Sequence, residues 1–286
     1  MTWVSSKGIT PPGWKEAYAQ FTAAGWSALP CPEEFGGQGL PSVLSMAACE
    51  IWNASNLSFG LCPLLTQGAI DAIVMHGSDA LKSVYLPNMI SGAWTGSMNL
   101  TEPQAGSDLA VVRARAERDG DRYRIFGNKI FITWGDHAMT ENVIHLVLAR
   151  LPDAPPGVKG ISLFLVPKYL VNTDGSIGER NDAYPVSVEH KLGIHASPTC
   201  VMAFGGELSF AAIAVVYLTG SVVGQAAPTP GGLGAVEAAM AAGLTLAGLD
   251  SGLAFSAVLL YRVITFWLPT IPGYFAFNWL QRNNYL

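Results

Sequence analysis

The chain is poor in charge. Only 13% of its 286 residues are Asp, Glu, Lys or Arg, about half the ~25% usual in soluble domains. Beside a 50% hydrophobic content, that scarcity excludes intrinsic disorder, which needs the reverse balance. A net charge of -5 with no basic run leaves no footprint for nucleic acid. Cysteine is scarce as well. Cys31, Cys49, Cys62 and Cys200 show no CxxC spacing, so zinc and thioredoxin-like chemistry are not expected, and four free thiols in a cytosolic setting are. His76, His137, His145 and His190 lack metal-ligand spacing, so no metal is expected. Met1 to Thr10 has no charged start followed by an apolar run, so no signal peptide is expected.

The scarcity is uneven. Only five charged residues follow Gly206: Glu207, Glu237, Asp250, Arg262 and Arg282. The first part of the chain has the character of a soluble protein and the last part that of a lipid-facing one.

The first ninety residues have helical periodicity. Trp14, Ala17, Tyr18 and Phe21 share one helix face, with Gly25 as a stop. Residues 26–41 are rich in Pro and Gly and predict a loop. Val43, Met46, Ala47, Glu50, Ile51 and Ala54 predict a second helix. Gln67 to His76 predicts a third, with Ala69, Ile70, Ile73 and Val74 inward and Gly77 after it. Ser78 is placed to cap a fourth running to Met89.

The period then changes to two. Val112, Ala114 and Ala116 alternate with Arg113, Arg115 and Glu117, as in a half-buried strand. Asp119-Gly120 predicts a hairpin turn, with residues 122–126 as the returning strand. Gly127-Asn128 predicts another turn. Ile130 to Trp134, Asn142 to Arg150, Ile161 to Val166, Tyr184 to Glu189 and Cys200 to Phe204 are further strand candidates. The Pro/Gly-rich stretch Pro152 to Gly160 is a surface loop. The expected architecture is α+β: a partial helical domain over 1–92, then an antiparallel β-barrel-like domain over 93–206.

The remainder, 207–286, predicts an all-α hydrophobic tail with two or three membrane-like segments. Leu208 to Ala227 is 20 residues without a charge, enough to span the ~30 Å hydrocarbon layer. Leu233 to Leu249 contains Glu237, and Leu253 to Phe277 is interrupted by Arg262, Pro269 and Pro272. Charges in hydrocarbon are costly unless paired. Glu237 and Arg262 either pair across two segments, or Arg262 snorkels to the interface.

Met98-Asn99-Leu100-Thr101-Glu102-Pro103-Gln104-Ala105-Gly106-Ser107-Asp108 lies where the helical part meets the strands. Gly106 allows close backbone approach, and N–H groups near Gly106 and Ser107 suit a phosphate. A plain turn has the same composition.

This segment resembles the flavin-binding signature of the acyl-CoA dehydrogenase family. Pro32-Glu33-Glu34-Phe35-Gly36-Gly37-Gln38-Gly39, Lys129-Ile130-Phe131-Ile132-Thr133 and Lys191 to Thr199 resemble further motifs of that family, in family order, over about residues 13–205. The resemblance implies FAD as cofactor and α,β-dehydrogenation of an acyl-CoA thioester. It implies flavin contacts for Met98, Leu100 and Thr101, pyrophosphate contacts for Gly106 and Ser107, and ring contacts for Phe131 and Thr133. An electron-transfer flavoprotein or similar acceptor and a homo-oligomer are also implied.

The family's catalytic glutamate belongs to a C-terminal helical bundle. Its pattern here stops near Phe204-Gly205-Gly206 and no bundle follows, so the catalytic residue is unassigned and the enzyme is expected to be catalytically incomplete. Residues 208–280 instead resemble the end of the lysylphosphatidylglycerol synthase transmembrane/flippase-like family, through Pro230-Gly231-Gly232-Leu233-Gly234 with Glu237, Leu260-Tyr261-Arg262 and Phe266-Trp267-Leu268-Pro269. Three readings follow: a dehydrogenase-like flavoprotein held to membrane lipid by its tail, with the enzyme part cytoplasmic; a membrane protein fragment carrying a flavoprotein remnant; or an inactive chimera. If the tail is not inserted, the whole chain is expected in the cytoplasm.

Overall fold

The computed structural model describes residues 10–205, 217–218, 222, 233–246 and 251–282. It divides into two compact units, one ending at Gly205 and one beginning at Gly206.

In the first unit, α1 (Trp14–Ala23) buries Tyr18 and Phe21, as its periodicity demands. The second and third expected helices are one element, α2 (Ser42–His76), broken at Asn56, whose φ of -159° and ψ of 92° leave the helical region. The Asn56 side chain explains the join. Its Oδ1 accepts from Phe59 N at 3.2 Å, so it caps a new helix without a connecting loop. The two halves differ. Phe59, Cys62, Thr66, Ala69, Ile70 and Ile73 are buried in the second, whereas Val43, Met46 and Ile51 in the first are exposed. The helix α3 (Asp79–Ile90) starts at Ser78, whose side chain accepts from Leu81 N.

Nine strands follow: β1 (Trp94–Asn99), β2 (Arg115–Asp119), β3 (Arg122–Thr133), β4 (Asn142–Arg150), β5 (Ile161–Pro167), β6 (Tyr169–Val171), β7 (Ile177–Arg180), β8 (Ala183–Val188) and β9 (Thr199–Phe204). Seven form one sheet in the order β1-β4-β2-β3-β9-β8, with β5 on β4; β6 and β7 pair separately. Neighbouring strands in that sheet are antiparallel, as expected, except where β4 meets β1 and β2. Strands β1 and β4 are parallel from Trp94↔Asn142 to Asn99↔Val147. The β2–β3 hairpin lies in the connection between them, which gives the long crossover that a parallel pair requires. The path ends at β1 and β8 rather than closing.

The turn expected at Gly127-Asn128 is also absent, because β3 runs straight through it. Gly127 has φ +138°, and a Cβ there would sit 3.1 Å from Ala114 Cα and Cβ. Its glycine serves close approach within a bent strand. The hairpin is one residue later than expected: Asp119 pairs with Arg122, leaving Gly120 and Asp121 as its tip.

Helices α2 and α3 cover β1 and β4. Ala69, Ile70, Leu86, Met89 and Ile90 pack with Trp94, Ile144 and Leu146. Gly96 sets how closely they do so, since a Cβ there would lie 2.5 Å from Ala69 Cβ.

In the second unit, helices Ala235–Leu246 and Ser251–Arg262 pack through Val236, Met240 and Val258. Arg262 Nε lies 2.7 Å from Glu237 Oε1, so the pairing alternative is the one observed. The helix continues through a π-helical turn, Val263–Trp267, into Leu268–Arg282. The prolines do not end it, the wider turn lying just before Pro269. Ala254–Phe275 is long and apolar enough to cross a membrane, by length and composition. The expected span Leu208 to Ala227 lies outside the described residues except for Tyr217, Leu218 and Val222, and Glu207 and Pro228 to Gly232 lie wholly outside them.

Candidate flavin site

Strand β1 is buried at every residue but Met98. Thr95, Ser97 and Asn99 are buried, while Met98 is 42% exposed. Behind Met98, Ser97 Oγ lies 2.7 Å from His145 Nδ1 and accepts from Asn99 Nδ2 at 3.0 Å. Burial pushes His145 down to about 3, so the imidazole is neutral at pH 7.

After β1 the chain turns at Glu102–Ala105, closed by two backbone hydrogen bonds: Glu102 N to Ala105 O at 2.8 Å and Ala105 N to Glu102 O at 3.0 Å. Leu100 and Thr101 are half-buried, and Gly106 and Ser107 exposed. Within the protein a Cβ at Gly106 would touch only Thr101 Cγ2, at 3.7 Å. No neighbouring protein atom therefore demands glycine at this position.

The turn is tied to β3. Ile130 N donates to Thr101 O at 2.8 Å, and Lys129 Nζ donates to Leu100 O at 3.0 Å. Directly after Lys129, β3 bulges. Lys129 pairs with Met202 and Ile132 with Cys200, so β3 carries one extra residue. Phe131 sits in the bulge at φ +60° and is 59% exposed. A bulky residue at positive φ is a steric outlier. Here the flanking pairs on β9 hold it there.

Thr133 ends β3 opposite Thr199. Trp134 N donates to Pro198 O at 2.7 Å, which fixes the Lys191–Thr199 loop to the same strand end. Within that loop Lys191 Nζ donates to Ser197 O and to Thr199 Oγ1. Trp134 and Ile194 share the positive φ of Phe131, at 54° and 46°.

The sequence-derived residues thus form two groups. Thr101 and the Met98–Ser107 segment meet the bulge that carries Phe131. Thr133 stands at the other end of that bulge, against the Pro198–Thr199 segment. His195 is exposed. Among the described residues no three His, Cys, Asp or Glu side chains converge as on a metal ion.

Sequence reasoning missed the buried ion pair at the centre. Lys129 Nζ lies 2.7 Å from Glu102 Oε1, with side-chain exposures of 0% and 4%. Burial pushes the Glu102 carboxyl up, but Lys129 and the N–H groups of Arg113 and Ala114 outweigh it and hold the carboxyl below its ordinary range. A lysine between Gly127-Asn128 and an apolar run carries no sequence signal of such burial.

Comparison with known proteins identifies the two domains that form this unit. Residues 2–93 match the acyl-CoA dehydrogenase N-terminal domain and residues 97–206 the acyl-CoA dehydrogenase middle domain. Residues 193–273 match the lysylphosphatidylglycerol synthase TM region, which begins earlier than the expected 208. The chain is 57% identical to 3-methylmercaptopropionyl-CoA dehydrogenase of Ruegeria pomeroyi over 197 residues, covering 68% of this chain and 34% of that protein. The glutaryl-CoA dehydrogenase structure from Mycobacterium smegmatis aligns with TM-score 0.55 and 27% identity, over 68% of this chain and 45% of that one. An acyl-CoA dehydrogenase from Bacillus anthracis, complexed with FAD, shares the fold at TM-score 0.54 and 21% identity, over 80% of this chain and 37% of that one. The chain therefore spans about a third of the curated relative and less than half of either solved chain. Over residues 2–206 it belongs to the acyl-CoA dehydrogenase family by its N-terminal and middle domains, and over 193–273 it joins them to a lysylphosphatidylglycerol synthase TM region.

Proposed function

We propose that the first unit holds FAD and acts on an acyl-CoA thioester, as part of a dehydrogenase-like flavoprotein. The observation that carries this reading is the junction of the Met98–Ser107 segment with the β3 bulge at the Thr101–Ile130 hydrogen bond. It leaves Met98 exposed between buried Ser97 and Asn99, and Phe131 exposed between half-buried Ile130 and buried Ile132. Exposed apolar side chains beside a turn that exposes Gly106 and Ser107 fit a planar ring carrying a phosphate tail.

Bound FAD supplies the hydride acceptor. The chain's own residues position and shield it. Met98 and Phe131 exclude water from the ring; the Leu100 and Thr101 N–H groups and the Thr133 hydroxyl orient its polar edge. The Gly106 and Ser107 N–H groups take the pyrophosphate. Glu102 is not the proton acceptor, because its oxygens already accept from Lys129, Gln104 and two backbone N–H groups. Glu237 is likewise committed, to Arg262 and Gly234 N. The acceptor of the electrons is an electron-transfer flavoprotein or similar protein, and the working form is a homo-oligomer, as the family implies.

The tail tethers this unit to membrane lipid through residues 208–280, with the dehydrogenase-like part on the cytoplasmic side. Support for the tether comes from the TM-region match and the apolar helix Ala254–Phe275.

The test is a visible spectrum of the full chain purified in detergent, followed by anaerobic 3-methylmercaptopropionyl-CoA, the substrate named in the 57%-identical relative. Bound flavin that bleaches supports the proposal. Bound flavin that stays oxidised rejects the catalytic half, and a chain that takes up no FAD rejects both.

A further inference from the structure

The Lys129–Glu102 pair is costly for what it contributes to stability. Two charges are removed from water, and a well-packed apolar pair of the same volume is commonly as stable or more so. What an apolar pair cannot do is hold main-chain groups at fixed points. This pair holds three segments at once. Lys129 on β3 reaches the Leu100 carbonyl at 3.0 Å. Glu102, in the turn, receives Lys129 at 2.7 Å and Ala114 N at 3.0 Å on Oε1. Its Oε2 receives Arg113 N at 2.7 Å and Gln104 Nε2 at 2.6 Å. The turn between β1 and β2 is thereby fixed at its start, its middle and its end.

We infer that Lys129 and Glu102 are positioning residues, a buried latch that sets the main chain of Leu100 to Ser107 in its flavin-receiving shape before any flavin arrives. The inference deepens the flavin reading above and rests on it. Neither side chain reaches the exposed surface that would receive the ring, so neither is a catalytic residue. Their action is preorganisation. The donors of Leu100, Thr101, Gly106 and Ser107 belong to one short segment, and ordering that segment in advance removes its entropy cost from binding.

The experiment compares the full chain in detergent with Lys129→Met, Glu102→Gln and the double variant. It reads the FAD dissociation constant by fluorescence titration, the thermal midpoint, and amide hydrogen exchange over residues 98–108. Lys129→Met alone is expected to lower the midpoint, since it leaves a buried carboxylate unpaired. It is also expected to weaken FAD binding by about 10- to 100-fold, the worth of a hydrogen bond to a charged group. The double variant carries no unpaired charge. It is expected to recover part of the midpoint while keeping weak FAD binding and fast exchange, because the Leu100 carbonyl has no donor and an amide at position 102 can accept on one side only. A double variant with FAD affinity and exchange equal to the parent overturns the inference. If Lys129→Met does not fold, the double variant decides on the same two readouts. A parent that takes up no FAD rejects the flavin reading, and the exchange comparison then still decides for or against the latch.

Discussion

The unit ending at Gly205 has three buried apolar clusters, one within the sheet, one between the sheet and α2–α3, and an aromatic one around Trp134, while the first half of α2 exposes Val43, Met46 and Ile51. Among the described residues of the second unit, the buried cluster is Val236, Met240 and Val258, while Phe255, Leu260, Ile264, Trp267, Phe275 and Trp279 are exposed. Yet both units treat buried charge alike. Lys129 pairs with Glu102 and Lys168 with Asp136 in the first, and Arg262 with Glu237 in the second. Pairing is demanded by any low-dielectric interior, whereas the side on which apolar residues lie depends on the surrounding solvent. The two units follow the same rule for buried charge and differ in how much apolar surface they leave exposed.

Four experiments would break or sharpen that contrast. The largest effect is all-or-none. The full chain should stay with membranes through carbonate extraction, and residues 1–205 alone should be released. Release of the full chain would remove the lipid half of the comparison. Next, Arg262→Leu leaves Glu237 unpaired between two helices and should cost about 3–5 kcal/mol, read as loss of the inserted fraction; Arg262→Leu with Glu237→Gln should restore it. An unchanged inserted fraction in the single variant would show that the pair is solvated.

Third, acid should weaken the first unit before its carboxylates titrate. Burial pushes His137 and His145 from 6.5 down to about 3 in the folded chain. The folded state therefore binds fewer protons between those values, and stability falls as pH drops through that window. At pH 5 the loss should be about 2 kcal/mol per histidine, seen as a lower urea midpoint than at pH 7. Glu102 adds its own loss only below its ordinary 4.5, because its carboxyl is held down. A flat midpoint between pH 7 and 5 would mean that these imidazoles are reached by water. Last, Gly96→Ala presses a methyl against Ala69 and should cost about 1–3 kcal/mol, lowering the thermal midpoint of the first unit and sparing the second.

Sequence pattern revealed the parts whose burial follows from periodicity. The apolar run Asn142–Arg150 is a strand because both its faces are covered, and Ala69, Ile70 and Ile73 face inward at helical spacing. It failed where a single side chain or a partner strand decides. Asn56 lies between two expected helices and joins them as a cap. Gly127-Asn128 reads as a turn until Ala114 is known to lie against it. Trp94–Asn99 lacks an apolar run and is a strand because α2 packs across Gly96. At the site, the segments were legible as motifs, but the Lys129–Glu102 pair spans 27 residues and left no periodic trace.

The parallel pairing of β1 with β4 has a consequence for how the site comes into being during synthesis. Met98 sits opposite Leu146, so the strand that presents it cannot take its place until the chain is made some fifty residues further on. The β2–β3 hairpin is local and closes early, but the Phe131 bulge lies outside it and waits for β9, which is made after β4. On a ribosome, Met98 should therefore be in position before Phe131, and a flavin captured during translation would meet a half-built pocket.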